Sequence, residues 1–260
     1  MRRDGLDWVV RPELGFFGKM RNAVKRYFLD LFDRLTDRAI PRTLHHIQWA
    51  LRQRGDSFHI LDMAFLEAAR DSADYWVKHM ITAQAFDDDI ALLKHATGLV
   101  RKHGLFLEFG VASGRTISAI ANLSKARVFG FDSFEGLPED WRTGFPRGIF
   151  ASPLPKVPAN VSLIKGLFSE TLPGFLREHS EPVAFLHVDC DIYESAKCIF
   201  ELLYERIGPG CVIVFDEYFN YPGWRDHEHR AFAEFVSQRQ LAFRYDSFVP
   251  SHQQVCILVQ

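Results

Sequence analysis

The stretch that decides the fold begins at Leu105 and reads Leu-Phe-Leu-Glu-Phe-Gly-Val-Ala-Ser-Gly114. Its apolar first half predicts a buried strand, and the pattern from Thr116 onward predicts a helix. Gly110 and Gly114 lie between the two, where glycine permits a tight turn and the close approach of another backbone or a ligand. A strand, a glycine turn and a helix in this order are typical of nucleotide-sized ligand sites in doubly wound α/β proteins.

Short apolar runs alternate with helical patterns along the rest of the chain. Strands are predicted at residues 105–110, 127–132, 161–166, 183–191 and 211–218, with a closing hairpin at 241–249 and 253–259. Helices are predicted at residues 116–123, at about 194–207 and near 225–238. Because strands and helices alternate, we expect an α/β fold with a doubly wound, mostly parallel, Rossmann-like sheet of seven strands.

The first hundred residues have a different texture and are predicted to form helices. Apolar residues recur at helical spacing over residues 20–35 and 65–80, and the acids at 87–89 offer an N-cap for another helix. We therefore divide the chain into a helical N-terminal extension over residues 1–100 and a ligand-binding domain over 101–260. The extension is predicted to serve as a lid or as the interface of a homodimer.

Composition favours a globular protein that does not bind nucleic acid. The 260 residues are 47% hydrophobic and 25% charged, which suffices for a full core, and the formal net charge is −2. The four cysteines form no C-x-x-C pair and indicate free thiols in a reducing compartment. Neither a secretory signal nor an apolar stretch long enough to span a bilayer is recognisable. We therefore expect a cytoplasmic protein without stable membrane insertion.

The residues around the glycine turn favour S-adenosylmethionine over a dinucleotide. A dinucleotide site needs G-x-G-x-x-G, whereas this chain has G-x-x-x-G with Ala112 in place of the middle glycine. Glu108 would repel a pyrophosphate but suits a ligand that carries a sulfonium and an ammonium group. Asp132 ends the next strand, where its carboxylate can accept hydrogen bonds from ribose hydroxyls. The predicted cofactor-binding residues are Glu108, Gly110, Ser113, Gly114, Thr116, Asp132, Ser133, Gly166 and Asp189.

Acidic residues follow two neighbouring strands of the predicted sheet. His187, Asp189 and Asp191 lie on one side of the fourth strand if it stays extended, and Asp216-Glu217 ends the fifth. Carboxylates crowded in one pocket repel each other unless a cation joins them, and oxygen ligands favour a hard ion such as Mg²⁺. The alternatives are loop caps, or ion pairs with arginines such as Arg225 and Arg230.

The segment of residues 133–160 is rich in proline and aromatic residues. It contains Pro138, Pro146, Pro153, Pro155 and Pro158 together with Trp141, Phe145 and Phe150. So many prolines exclude a long crossover helix. The segment is therefore either an irregular crossover packed on the surface or an aromatic loop that lines a substrate pocket.

Four segments of the chain form an ordered set of motifs. They are Leu107-Glu-Phe-Gly-Val-Ala-Ser-Gly-Arg-Thr116, Phe131-Asp-Ser-Phe-Glu-Gly-Leu-Pro138, His187-Val-Asp-Cys-Asp-Ile-Tyr-Glu-Ser195 and Val214-Phe-Asp-Glu-Tyr218. Together they resemble the macrocin O-methyltransferase (TylF-type) family of class I S-adenosylmethionine-dependent methyltransferases, over roughly residues 100–240. The resemblance implies the class I methyltransferase fold over the 101–260 domain. It also implies Mg²⁺ ligands at Asp189, Asp216 and Glu217 and a general base at Asp191, although the family usually has two aspartates where this chain has Asp216-Glu217.

The predicted function is O-methylation of a hydroxyl group on a small molecule or a sugar-containing natural product, with S-adenosylmethionine as cofactor and Mg²⁺ as assisting ion. Asp191 or His187 is predicted to take the hydroxyl proton, with His227 and His229 as alternative bases. Two other classes of function fit parts of the pattern. A metal-dependent hydrolase would use the same acids, and a non-catalytic protein would retain only the S-adenosylmethionine site.

Overall fold

The structure is a computed structural model that describes residues 58–260. Residues Met63–Gln260 form one compact unit, which contains the whole sheet of the described residues. The helix predicted over residues 20–35 lies outside the described residues. The domain boundary near residue 100 and the roles of the extension as a lid or a homodimer interface stay predictions.

Helices and strands alternate along the described chain, as the sequence predicts. In chain order the elements are α1 (Ile60–His79), β1 (Gln84–Ala85), α2 (Asp89–Leu99), β2 (Leu105–Phe109), α3 (Arg115–Ser124), β3 (Val128–Asp132), β4 (Val161–Lys165), α4 (Phe168–Glu178), β5 (Val183–Val188), α5 (Tyr193–Leu202), β6 (Val212–Phe215), a 3-10 turn (Trp224–Asp226), α6 (Glu228–Arg239), β7 (Phe243–Phe248) and β8 (Val255–Val259).

The strands form one mixed sheet in the order β1-β7-β8-β6-β5-β2-β3-β4. All neighbouring pairs are parallel except those of β8, which runs antiparallel to β6 and β7. The chain starts the parallel part at β2, continues outward to β4, and returns to β5 on the other side of β2. Ligand sites of doubly wound sheets lie at such a reversal, beyond the carboxyl ends of the strands.

The predicted fold class is confirmed, with three differences of detail. An eighth strand, β1, adds two exposed residues to one edge of the sheet and is too short to show a sequence pattern. Helix α4 was not predicted, although its Leu172 and Phe175 are buried, because Pro173 lies within it. Strand β5 ends at Val188 rather than at residue 191, which changes the direction of the acids that follow it.

Side-chain alternation along β2 builds an apolar layer on each face of the sheet. Leu105, Leu107 and Phe109 join the core cluster that includes residues of α5 and α6. Phe106 joins the other cluster, which includes Ile117 of α3. Glu108 shares the face of Phe106 and is therefore a buried carboxylate inside an apolar layer, with no exposed surface.

Candidate active site

Gly110 and Gly114 form the turn between β2 and α3, and both have positive φ angles, of 90° and 78°. The amide of Gly110 donates to the carbonyl oxygen of Phe131 at 2.9 Å, which ties the turn to β3. A Cβ atom on Gly110 would lie 1.6 Å from the carbonyl oxygen of Asp189. The turn therefore passes directly against the residue that follows β5, and at Gly110 this approach requires glycine.

Asp132, at the end of β3, holds the glycine turn through its carboxylate. Its Oδ2 accepts hydrogen bonds from the amides of Val111 and Ala112 at 2.7 and 2.8 Å. Its Oδ1 accepts from the amide of Phe134 at 2.7 Å. Since a carboxylate has about four lone-pair positions, the predicted contact with ribose hydroxyls stays compatible with these three bonds.

Glu108 lies under the turn and contacts two other buried polar side chains. The hydroxyl of Thr116 donates to Glu108 Oε1 at 2.9 Å, and Nδ1 of His187 lies 3.4 Å from Glu108 Oε2. Burial acts to lower the pKa of His187, but the pKa is raised overall because Glu108 stabilises the protonated ring. These three residues support the turn from inside the sheet and do not form part of the cavity wall.

A cavity of about 590 Å³ opens beyond the carboxyl ends of β2, β3, β5 and β6. It has the size of a site for a cofactor and a small ligand. The predicted site residues that line it are Gly110, Asp132, Ser133, Gly166, Asp189, Asp191, Asp216 and Glu217. Other predicted site residues are not part of this wall, namely Glu108, Ser113, Gly114, Thr116 and His187. Ser113 is exposed, and Gly114 packs against Pro155 and Val157.

Three potential metal ligands lie close together, two of them in the cavity wall. One ligand atom each from His187, Asp189 and Asp216 lies within 4.8 Å of the others. Glu217 also lines the cavity, and its buried Oε2 has no hydrogen-bond partner among the described residues. Burial and the neighbouring carboxylates raise the pKa of Asp189 and of Glu217 well above their usual range. The group is therefore short of positive charge and has the donors to bind a hard cation.

Asp191 lines the cavity because of a backbone turn that strand alternation did not predict. The expectation that His187, Asp189 and Asp191 share one side of an extended strand is wrong, because β5 ends at Val188. Asp191 has a φ of 65°, and the amide of Ile192 donates to the carbonyl oxygen of Cys190 at 2.7 Å. Burial and Asp216 raise the pKa of Asp191 to about 7. This tight turn aims its carboxyl group at the same cavity.

The arginines named as alternative partners of the acids bind elsewhere. Arg225 forms a bidentate pair with Asp71, and Arg230 pairs with Glu234 at 2.9 Å. A different cation, Arg142, lies near the acidic group and weakly favours ionisation of Asp191. Its guanidinium stacks over the rings of Trp141, Phe145 and Tyr221 at 4.1 to 4.9 Å.

The two histidines proposed as alternative bases lie outside the cavity wall. The ring of His229 packs among Tyr75, Tyr218 and Trp224, with centroids 4.7 to 5.2 Å apart. Burial lowers the pKa of His229 to about 4 and lowers that of His227 as well. Both rings pack among aromatic side chains, and neither is part of the cavity wall.

The proline-rich segment of residues 133–160 forms no helix and combines both predicted roles. Trp141 is buried against Phe145 and Tyr221, with ring centroids 5.1 and 5.5 Å apart. Pro155 packs over the glycine turn at Gly114. The cavity-lining residues of the segment are Ser133, Gly136, Leu137, Pro138, Glu139 and Phe150. The segment is thus an irregular crossover that also forms one wall of the cavity.

Sequence reasoning missed Glu228, which is fully buried at the start of α6. Its Oε1 accepts hydrogen bonds from the amides of Cys190 and Asp191 at 3.0 and 3.1 Å. Burial raises the pKa of Glu228 to about 8, although these two bonds favour the ionised form. A glutamate within a polar, His-containing segment after β6 carries no sequence signal for a contact with residues 37 and 38 positions away.

Residues 107–218 match a family model whose description is "Methyltransferase domain". The match includes the glycine turn, Asp132, the acids after β5 and Asp216-Glu217. These residues are therefore similar to methyltransferase domains. The predicted resemblance to class I methyltransferases is therefore confirmed over this part of the chain.

A curated protein and a crystal structure are also similar to parts of this chain. The 8-demethyl-8-(2,3-dimethoxy-alpha-L-rhamnosyl)-tetracenomycin-C 4'-O-methyltransferase of Streptomyces olivaceus is 33% identical over 112 residues, which cover 35% of this chain and 42% of that protein. The chain thus spans less than half the length of this curated relative. The crystal structure of the calicheamicin methyltransferase CalS11 covers 66% of this chain and 78% of its own, with 23% identity and a TM-score of 0.55.

A third similar protein is the O-methyltransferase NovP, at 20% identity and a TM-score of 0.51. Its alignment covers 65% of this chain and 78% of NovP. At these identities the likeness to CalS11 and NovP shows a shared fold. Within residues 58–260, no helix is long and apolar enough to cross a membrane; the cytoplasmic location stays a prediction.

Proposed function

We propose that this protein transfers the methyl group of S-adenosylmethionine to a hydroxyl oxygen of a sugar-containing small molecule. The observation that carries the proposal is the single cavity of about 590 Å³ that joins the glycine turn and Asp132 to the acidic group at the ends of β5 and β6. A cofactor and an acceptor must meet in one such space for direct transfer. The methyltransferase domain match over residues 107–218 supports the same reaction class.

The residues at the cofactor end of the cavity fit S-adenosylmethionine. Gly110 and Gly166 line the wall without side chains, so a ligand can approach the backbone there. Asp132 holds the turn and has lone pairs left for ribose hydroxyls. When bound, the cofactor supplies a methyl group activated by a positively charged sulfur. The protein's part is to orient that group and to exclude water from it.

The residues at the acidic end fit Mg²⁺, and they would hold it through Asp189, Asp216 and Glu217. Ligand atoms of Asp189 and Asp216 lie within 4.8 Å of each other, and a buried carboxylate oxygen of Glu217 has no hydrogen-bond partner among the described residues. A bound Mg²⁺ would lower the pKa of a nearby hydroxyl. Asp191 lines the same cavity and is the residue proposed to accept the hydroxyl proton on its carboxylate. His187 is buried beneath the wall, so its proposed role is to stabilise the acids rather than to touch the acceptor.

A sugar hydroxyl is the acceptor class that the relatives favour. The printed name of the Streptomyces olivaceus relative describes 4'-O-methylation of a rhamnosyl tetracenomycin. A crystal structure of CalS11 describes that protein as a TDP-rhamnose 3'-O-methyltransferase. The apolar residues Leu137, Phe150 and Leu167 line the cavity here and would contact the less polar part of such an acceptor.

Two measurements test the proposal. Isothermal titration calorimetry should show binding of S-adenosylhomocysteine, and labelled methyl transfer should be detectable with methyl rhamnoside, rhamnosylated aromatic compounds or TDP-rhamnose. A folded protein that fails to bind S-adenosylhomocysteine at millimolar concentration would contradict the cofactor assignment. Phosphatase or esterase activity in such a protein would instead favour a metal-dependent hydrolase.

The role of Mg²⁺ has its own test. We expect methyl transfer to fall in excess EDTA and to return when Mg²⁺ is added, because the crowded carboxylates need a cation. Asp216→Asn should require more Mg²⁺ for the same rate. Full methyl transfer in excess chelator would show that the reaction proceeds without the ion.

A further inference from the structure

The backbone between β5 and α5 makes a strained turn where it lines the cavity. Asp191 has a φ of 65°, in the left-handed region that non-glycine residues rarely adopt. The hydrogen bond from the Ile192 amide to the Cys190 carbonyl, at 2.7 Å, closes a three-residue turn around it. Such a conformation is unfavourable for a residue other than glycine and persists only where the surroundings hold it. Asp189, Cys190, Asp191 and Ile192 all line the cavity, so its shape depends on this turn.

Glu228 is the side chain that holds the turn. It is the first residue of α6 and has no exposed surface. One carboxylate oxygen accepts the amide hydrogens of both Cys190 and Asp191, at 3.0 and 3.1 Å. Without this acceptor, two buried backbone donors would lose their partner, which is unfavourable inside a protein. The position at the N-terminus of α6 also favours a negative charge there.

We propose that Glu228 is a positioning residue: its carboxylate locks the Asp189–Ile192 turn in the conformation that shapes the cavity for cofactor and acceptor. This inference rests on the proposed function only for the identity of the two molecules that the cavity binds. Glu228 is absent from the cavity wall and acts through the two amides. Its role is to keep the carboxyl groups of Asp189 and Asp191 aimed at the same space.

The test compares three substitutions at Glu228 in the full-length chain. S-adenosylhomocysteine affinity is measured by calorimetry, and hydrogen exchange is measured at the amides of residues 190 and 191. Glu228→Gln keeps the length and the acceptor oxygen, so we expect slow exchange and an affinity within about threefold of wild type. Glu228→Ala and the shorter Glu228→Asp cannot serve both amides. For these two we expect fast exchange and an affinity loss on the order of 10- to 100-fold, as for other residues that orient a site from outside.

A matched control lies on the same helix. Arg239, the last residue of the helix, donates to the carbonyl oxygen of Tyr204 and pairs with Glu205. Arg239→Ala should lower the melting temperature without changing S-adenosylhomocysteine affinity or exchange at residues 190 and 191. This pattern distinguishes positioning of the turn from a general loss of stability in α6.

Two results would overturn the inference. One is wild-type amide exchange and ligand affinity in Glu228→Asp. The other is a loss of ligand affinity in Glu228→Gln as large as that in Glu228→Ala. If Glu228→Ala does not fold, the comparison of Gln with Asp still decides. If wild-type protein does not bind S-adenosylhomocysteine, the proposed function fails, while the exchange data still test the role of Glu228.

Discussion

At the scale of single residues, Gly110 has less room for a side chain than any other glycine within residues 58–260. An added Cβ would lie 1.6 Å from the Asp189 carbonyl oxygen, and the φ of 90° is strained for any other residue. We expect Gly110→Ala to reduce the free energy of unfolding by more than about 3 kcal/mol and to abolish S-adenosylhomocysteine binding. Urea unfolding and calorimetry measure the two effects.

Gly98 offers the same substitution without the clash. It lies in α2, and a Cβ there would meet nothing within 4 Å. Gly98→Ala should leave binding unchanged and stabilise the protein by about 0.5–1 kcal/mol, because alanine favours helix. If Gly110→Ala left stability and binding as intact as Gly98→Ala does, the result would contradict the close contact between Gly110 and the Asp189 carbonyl oxygen.

Asp132 has two roles that one experiment can separate. Asp132→Asn removes an acceptor from the turn, at about 1–3 kcal/mol, and would also weaken a bond to ribose. The variant and wild type are titrated with S-adenosylhomocysteine and with its analogue lacking the ribose hydroxyls. If Asp132 contacts ribose, the substitution weakens binding of the intact ligand more than that of the analogue. Equal losses of affinity for the two ligands would show that Asp132 acts only by holding the turn. Asp140→Asn is the matched control, because Asp140 accepts a hydrogen bond from the amide of Arg147 in an exposed loop.

At the scale of elements, the wall formed by residues 133–160 depends on aromatic packing rather than on regular structure. Trp141 is 8% exposed and contacts Phe145 and Tyr221. Since tryptophan-to-alanine changes in packed sites cost about 3–5 kcal/mol, Trp141→Ala should open this segment locally. We expect trypsin to cleave this variant after Arg147 more than about tenfold faster than the wild type. The reason is that each loss of about 1.4 kcal/mol in the stability of the closed segment raises the population of the open segment tenfold.

The control for that experiment is Leu154, which is 60% exposed in the same segment. Leu154→Ala should leave the cleavage rate unchanged, because it removes little buried surface. Unchanged cleavage in Trp141→Ala would mean that other contacts, such as Pro155 against Gly114, hold the segment closed.

At the scale of the whole molecule, sequence reasoning succeeded where the signals were local. The glycine turn, Asp132 and the acids at strand ends follow from the residues themselves, since parallel strands end at one edge of the sheet. It failed where a contact joins distant segments or a backbone departs from regularity. Nothing near Asp191 predicts its positive φ, and nothing near Glu228 indicates its bond to Cys190, 38 residues away. The sequence pattern also predicted correctly that Glu108 lies in a strand. It did not predict the contacts of Glu108 with Thr116 and His187.

The stability of the whole fold should depend on pH through His229, which lies among Tyr75, Tyr218 and Trp224. Burial and the nearby Arg225 and His79 lower its pKa from 6.5 to about 4, while Asp71 opposes the shift. The unfolded chain therefore binds a proton at a higher pH than the folded one, and stability falls as the pH drops from 6.5 towards 4. Between pH 7 and pH 5 this group alone should reduce the free energy of unfolding by about 2 kcal/mol.

The substitution His229→Phe tests this prediction. It keeps an aromatic ring in the layer and should remove that part of the loss in urea unfolding. His252→Gln, on an exposed turn, should retain the full wild-type loss. The same pH dependence in His229→Phe as in wild type would show that the ring is protonated within the fold.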